Sequence, residues 1–272
     1  MGNAPVKSQS VFKRFSWLFV GGPRRNIPWP AFVAYSIILL AFAVLFLMHS
    51  AKVLGEWHFQ NVRRYAQALR QGYVYTLVLS FFVLAGSVLL GSILTLFARS
   101  RWYLPRIFSY WLLQICRGTP LIVFIVFCYY IVAQAAGIQN RMLSGVLILS
   151  LYFSTAISEI LRGGFKSIPQ TQFEVAQSFG LTTGQTYLYI IVPQLVQRIL
   201  PALTNQVGII IKDTSLLSVI GIAEFYQTST NAANQSYATL EFFLILALGY
   251  LVITLPVSLI SKALEKKDED VA

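Results

Sequence analysis

The sequence predicts an all-α membrane protein, and three observations carry that prediction. Of 272 residues, 56% are hydrophobic and only 11% are charged, which leaves too little polar surface to cover a water-soluble core of that size. Mean hydropathy is +0.65. The apolar residues also gather into runs matching the length a helix needs to cross a hydrocarbon layer of about 30 Å, about 20 residues at 1.5 Å each.

The runs can be justified in chain order. Residues 31–48 are apolar apart from Ser36 and are followed by His49 and Lys52 rather than by a small-residue cleavage site. The residues before them hold no apolar region ahead of Gly21, so 31–48 is expected to remain as an anchor or first span. The stretch FQNVRRYAQALRQG comes next, and it is expected to lie flat at the interface with Phe59, Val62, Ala66 and Leu69 on one face. Residues 73–98, 142–160 and 242–260 are clear crossings bounded by charge or by Gly and Pro. Two runs are more polar: 120–136 follows CRGTP, and 195–223 contains Pro201, Asn205, Lys212 and Asp213. Both are expected to cross. The second is expected to be bent or partly inserted, because Pro and Gly free backbone groups that protein or a wet cavity must satisfy. The total is about six crossings.

Basic residues near span ends set orientation. Lys7, Lys13, Arg14, Arg24 and Arg25, with no acid among them, predict a cytoplasmic N-terminus. An even number of crossings returns the C-terminus, with Lys262, Lys266 and Lys267, to that side, and places Arg99, Arg101, Arg106, Arg162 and Lys166 there. Lys52, Arg63, Arg64 and Arg70 oppose the scheme. The net charge of +11 is thereby absorbed by membrane margins and anionic lipid, and it needs no nucleic acid. Cys116 and Cys128 sit in apolar sequence and read as small hydrophobes, while His49 and His58 join no cluster. No metal site is expected.

One polar stretch interrupts this pattern: EVAQSFGLTTGQTYLYIIVPQ, residues 174–194. Phe173, Ala176 and Phe179 recur at helical spacing, and Gly180 suits the left-handed residue that ends a helix. Thr182 with Gln185 has capping-box spacing, so a second helix is expected to start at once and run to the neighbourhood of Pro193. The expected element is a helix, a tight corner and a helix, too polar to cross the bilayer.

Charges inside spans are costly and are functional candidates. Glu159, near the end of an apolar span, either meets the ammonium or side chain of an amino acid or pairs with Arg162 three residues on. Lys212 and Asp213, with Thr214 and Ser215, either meet a zwitterion in an unwound crossing or satisfy each other and pin a bend. Asn205, Gln206 and Glu224 are weaker candidates on the same crossing. In Arg117, Gly118, Thr119 and Pro120 the proline suits a first helical turn, which favours a structural or gating role. Phe127, Tyr129 and Tyr130 read as packing and interfacial belt.

The interrupting stretch resembles the cytoplasmic loop carried by membrane subunits of bacterial ATP-binding cassette importers. That loop has Glu-Ala-Ala, then Gly, Ile and Leu-Pro at set distances. Glu174, Ala176, Gly180, Ile190 and Pro193 stand at matching positions, with Val175 for the middle Ala and Val192 for Leu. CRGTPLIVFIVFCYY, ILRGGFKSIPQTQFEVAQSFGL, VPQLVQRILPALTNQ and IIKDTSLLSVIGIAEF are likewise similar to polar amino acid permeases, those serving histidine, glutamine, glutamate and arginine.

The resemblance implies a type I importer transmembrane domain over residues 72–263. It leaves residues 1–71 as an N-terminal arm with an extra helix and an interfacial segment, and 264–272 as a charged tail. It further implies that Glu174, Val175, Ala176, Gly180, Leu181, Ile190 and Pro193 couple to an ATPase, with Ala176 and Gly180 permitting close approach. Implied partners are ATPase subunits carrying ATP and Mg, a second permease subunit (identical or related), an extracytoplasmic amino acid-binding protein and the substrate. The implied location is the bacterial inner membrane.

The chain has no phosphate loop of the G-x-x-x-x-G-K-[ST] type, so no cofactor is expected on it and any ATPase must be another chain. Two other classes compete. A secondary transporter or channel should show paired broken segments in both halves, and only one polar broken crossing is found. An intramembrane enzyme should show H-E-x-x-H, G-x-S-x-G or clustered His, Asp and Cys, and these are missing. No catalytic residue is expected.

Overall fold

The computed structural model describes residues 29–54 and 59–269, and every element among them is helical. The basic arm, His58 and residues 270–272 lie outside the described residues. The chain divides into two units, Met1–Trp57 and His58–Ala272. The described part of the first is one helix, α1 (Trp29–Leu54), whose apolar stretch Ser36–His49 exposes Ile37, Leu39, Phe42 and Leu45.

The second unit opens with α2 (Phe59–Ala98), a single helix of 40 residues. Residues 59–71, expected as a separate flat segment, are the first turns of this helix. The physical reason is continuity: FQNVRRYAQALRQG contains no proline, its helical face runs on in register, and at 1.5 Å per residue α2 spans roughly 60 Å. Its first turns also have something to pack against. Val62, Tyr65 and Leu69 join Phe225, Phe242 and Leu246, with Tyr65 edge-on to Phe242 at 5.7 Å.

Next come α3 (Tyr103–Gly118) and α4 (Leu121–Phe127, prolonged by a π turn Cys128–Ala133), which meet at 116°. The corner is the RGTP segment: Gly118 closes α3, Thr119 is extended and Pro120 caps α4 from just outside it. Proline restricts its predecessor to extended backbone, and this stops α3. Helix α5 (Arg141–Ser167) starts on Asn140, whose side chain accepts the Leu143 N–H at 3.0 Å.

Helices α2 and α5 form the central pair, and small residues bring them together. A Cβ on Gly91 would lie 2.7 Å from Ile157 Cβ and 2.8 Å from the Ser154 carbonyl oxygen. Ser150 donates to the Val83 carbonyl at 3.3 Å, and Thr95 donates to Ser158 Oγ at 3.1 Å. In hydrocarbon, where apolar burial gives no preference for helix over lipid, such backbone approach and hydroxyl bonding hold helices together. Leu79, Val83, Phe124, Leu149, Phe153 and Leu217 pack the middle of the unit around this pair.

After α5 come α6 (Thr171–Ser178) and α7 (Thr183–Thr186). A π turn, Tyr187–Ile191, leads from α7 into α8 (Val192–Asp213), which tightens to a 3₁₀ segment over Thr214–Ile220. Then α9 (Phe225–Ser236), bent 55° from the preceding span, and α10 (Thr239–Glu269) complete the unit. Helix α10 packs on α8 and α9, and α9 packs on α2. The expected tail from residue 264 is helical through Glu269.

Among the described residues, Phe59–Ala98, Arg141–Ser167 and Thr239–Glu265 each suffice by length and composition to cross a membrane, and counting each of the two bent pairs as one span gives up to 5. The expected sixth crossing rests on α1, whose apolar stretch is shorter.

Candidate functional site: a capped loop and a polar crossing

The loop between α5 and α8 is built from local signals. Helix α6 ends in a Schellman arrangement, with Leu181 N–H donating to the Ala176 carbonyl at 3.1 Å and Gly180 N–H to that of Gln177 at 2.9 Å. Gly180 takes the left-handed conformation this requires, at φ 72°. Nothing lies within 4 Å of a Cβ added there, so the glycine serves the turn rather than a close contact inside the chain. The expected capping box is present: Thr182 Oγ1 accepts the Gln185 N–H, and Gln185 Oε1 accepts the Thr182 N–H at 2.9 Å.

One expectation is corrected here. Ala176, read as a point of close approach to a partner, has no exposed surface and faces inward. The helix repeat places Gln172 and Phe173 on that same face; Phe173 packs edge-on to Tyr187 at 6.0 Å and Gln172 accepts from Gln194 at 3.2 Å. The outward face carries Glu174, Val175 and Phe179, the last 80% exposed. Among the described residues Glu174 has no basic partner.

A second expectation also changes, because the helix that begins at Thr183 does not stop near Pro193. At the π turn the Val192 N–H reaches back to the Tyr187 carbonyl, which opens the helix by one residue just where proline removes a donor. The path then continues to Asp213, roughly 45 Å from Thr183 at 1.5 Å per residue. Its lower part is fixed to the end of α5. Ile191, Leu195 and Ile199 pack on Ile168, and Arg198 donates to the Ser167 carbonyl at 2.8 Å. Ile190 and Leu181 are half-buried along this seam.

The intramembrane candidates fall into three groups. Asn205 and Lys212, two turns apart, line one cleft of about 280 Å³ between α8 and α10 with Thr254 and Ser258. Asp213 and Ser215, half-buried, lie where α8 gives way to the 3₁₀ segment, and Thr214 and Gln206 are buried. Glu159 pairs with Arg117 of α3, across helices, rather than with Arg162 as the spacing suggested. This joins a substrate-path candidate to the RGTP corner.

Glu224 forms the third group and is fully enclosed. Its carboxyl caps α9, accepting the N–H groups of Tyr226 and Gln227 at 2.8 Å each. It also accepts the hydroxyls of Tyr250 at 3.3 Å and Thr76 at 3.5 Å, while Thr76 takes the Phe225 N–H at 3.1 Å. Sequence reading missed Thr76 and Tyr250. Each is a lone polar residue in an apolar run, and only the fold brings them to Glu224.

Comparisons agree with this architecture. Residues 87–268 match the family model described as binding-protein-dependent transport system inner membrane component. A probable glutamine ABC transporter permease of Bacillus subtilis is 30% identical over 204 residues, 73% of this chain and 92% of that one. The glutamine transport system permease of Escherichia coli K12 is 33% identical over 203 residues, with the same coverage. An inner membrane amino-acid ABC transporter permease of Escherichia coli K12 is 27% identical over 94% of this chain and 76% of its own, so similarity reaches the N-terminal unit. Among solved structures, an amino acid ABC transporter with histidines superposes at TM-score 0.70 with 28% identity, over 78% of this chain and 100% of that one. The methionine ABC transporter in an inward-facing form superposes at 0.55 with 14% identity, covering 73% and 95%, a likeness of fold alone.

Proposed function

This chain belongs to the binding-protein-dependent transport system inner membrane components, and from that premise we propose that it is the permease subunit of an ATP-driven importer of polar amino acids. Its place is the membrane, as a non-catalytic transporter component. On this reading the 168–193 loop is cytoplasmic, as are both chain ends, and the loop docks an ATPase carried on a separate chain. A second permease subunit completes the path, and an extracytoplasmic binding protein delivers the substrate.

One observation supports the reading above others: the helix that starts in the capped loop runs unbroken to Lys212 and Asp213. A push on Val175 and Phe179 passes from α6 to this helix through the Phe173–Tyr187 and Gln172–Gln194 contacts, and along it to the polar cleft and the 3₁₀ segment. Asn205 and Lys212 in that cleft supply an amide and a cation suited to an amino acid's carboxylate. The Arg117–Glu159 pair ties the RGTP corner to α5 and would part when α3 and α5 separate.

The test is co-expression with the ATPase and binding protein, purification of the assembly, and uptake of radiolabelled glutamine by vesicles holding it. Glutamine comes first because two of the relatives are glutamine systems by name. The expected result is a stable complex and uptake that stops without internal ATP. A chain that purifies without any ATPase, or uptake indifferent to ATP, overturns the proposal.

A further inference from the structure

A cleft of about 220 Å³ opens where α2, α3 and α5 meet, beside the Thr95–Ser158 bond. Arg106 and Arg162 line it together with the buried hydroxyls of Ser109 and Ser158, over a floor that includes Leu94. We propose that this cleft holds the phosphate of a phospholipid headgroup, drawn from the leaflet on the side of the 168–193 loop.

Charge is the first argument. Two arginines line the cleft and no acidic residue does. Sequence spacing offered Glu159 as the partner of Arg162, but that carboxylate is engaged by Arg117, so among the described residues Arg162 has no acid to meet. Arg106 donates one N–H to the Ser100 carbonyl at 2.7 Å, and its guanidinium stands 5.8 Å from the Tyr103 ring centroid. These contacts hold the guanidinium while leaving other donors for a ligand. Guanidinium groups are the side chains best matched to phosphate, offering parallel donors to two oxygens and shedding water readily.

Position is the second argument, and it favours a lipid over a soluble anion. Trp102 and Tyr103, each 76% exposed, stand one turn before Arg106 on the chain. Exposed Trp and Tyr settle at the level of the headgroups. Below them α3 exposes Ile107, Phe108 and Trp111, an apolar surface along which acyl chains can lie. Arg162 stands shortly before the end of α5 at Ser167, on the loop side. Basic pockets between helices near a membrane surface are where anionic headgroups bind. The volume admits a headgroup phosphate but not a whole lipid.

The shared chemistry is a phosphate oxyanion, so the experiment separates its two sources. The full chain, assembled with its ATPase, is extracted in mild detergent and examined by native mass spectrometry. It is then returned to nanodiscs of phosphatidylcholine with or without phosphatidylglycerol, and in detergent it is challenged with inorganic phosphate in a thermal-shift assay. Wild type should retain phospholipid through delipidation and be stabilised by phosphatidylglycerol, with no shift from inorganic phosphate. Arg106→Gln/Arg162→Gln should retain phospholipid about 30-fold more weakly, from about 1 kcal/mol per arginine near the surface.

If that pair does not assemble, Arg162→Gln alone should weaken retention about fivefold. Arg106→Lys/Arg162→Lys, which keeps the charge, should retain most of the lipid, and Arg101→Gln, outside the cleft, should behave as wild type. Equal retention by wild type and the glutamine pair overturns the proposal. So does a thermal shift from inorganic phosphate without one from phosphatidylglycerol, which would mark a soluble anion site.

Discussion

The chain turns two sharp corners by the same local means, one at Gly180 and one at Gly221, and the molecule uses them for opposite purposes. Both glycines are left-handed, at φ 72° and 77°, and each is followed by a residue whose side chain caps the next helix. At the first corner every capping bond is local, between Thr182 and Gln185, and the outward face is open. At the second the cap is Glu224, fully enclosed and held by Thr76 of α2 and Tyr250 of α10. A cap bonded only to its neighbours lets its helix pair move as a unit. A cap bonded to two other helices fixes the bend to the body of the unit. The first corner reads as a lever and the second as a pin.

The sharpest way to break that contrast is to remove the pin. Glu224→Ala deletes a cap worth about 1–2 kcal/mol and leaves buried donors unmet at about 1–3 kcal/mol each. We expect a loss of about 3–5 kcal/mol, read as a collapse of the thermal midpoint in detergent and a fall in the folded yield. Glu224→Gln, which can still accept from the helix N–H groups, should recover much of that. If Glu224→Ala melts like the parent, Glu224 is no pin, and its polar shell must serve something other than stability.

The glycines come next and should be more alike. Alanine at φ near +75° costs roughly 1–2 kcal/mol wherever it is placed. Gly180→Ala meets open space and should cost only that, whereas at Gly221 the new Cβ would also sit 2.8 Å from the Arg141 side chain. Equal stability losses are expected within about 1 kcal/mol, since a guanidinium tip can move aside. Uptake should separate the two: Gly180→Ala misaims α6 and should lower transport and ATPase association together, while Gly221→Ala should leave association intact.

What could be read from the sequence follows the same divide. Gly180, Thr182 and Gln185 signal their corner within a few residues, and the structure has the helix end and the capping box where that signal puts them. The inward turn of Ala176 was not legible, because its neighbours Phe173 and Tyr187 meet only after the corner has formed. Nor was the passage through Pro193, since a π turn is decided by what the backbone can do with a lost donor, not by residue type. For Glu159 the spacing offered Arg162 on its own helix, and the partner came from α3, 42 residues away in the chain. Thr76 is 148 residues from Glu224, beyond any local pattern. The apolar runs foretold most crossings. The 40-residue α2 did not stand out as one helix, because its first turns are polar and only Val62, Tyr65 and Leu69 among them pack on α9 and α10.

Thr182→Ala sharpens the lever half of the comparison. It removes the hydroxyl that accepts the Gln185 N–H and leaves the backbone N–H of residue 182 on Gln185 Oε1, for a cost of about 1 kcal/mol. Because the bonds are local, the effect should stay local: faster hydrogen exchange at the amides of residues 183–187, with little change in the melting of the unit. Exchange that rises across α8 as well would mean the cap supports the long helix, and the corner would then be less independent than its bonds suggest.

The smallest effect on the fold should come from Phe179→Ser, and it bears most directly on function. Phe179 is 80% exposed and contributes its C-cap through the backbone, so exchanging the side chain should change stability by less than about 0.5 kcal/mol. A large aromatic exposed at the tip of a tight corner packs on little of its own chain, whereas a partner cleft would bury it; truncated anchors of this kind commonly cost about 2 kcal/mol or more in binding. We therefore expect unchanged melting, about a 30-fold loss of ATPase association in pull-down titrations, and loss of ATP-dependent uptake. Intact association would place the docking surface elsewhere on the loop, with Val175 and Glu174 the next side chains to change.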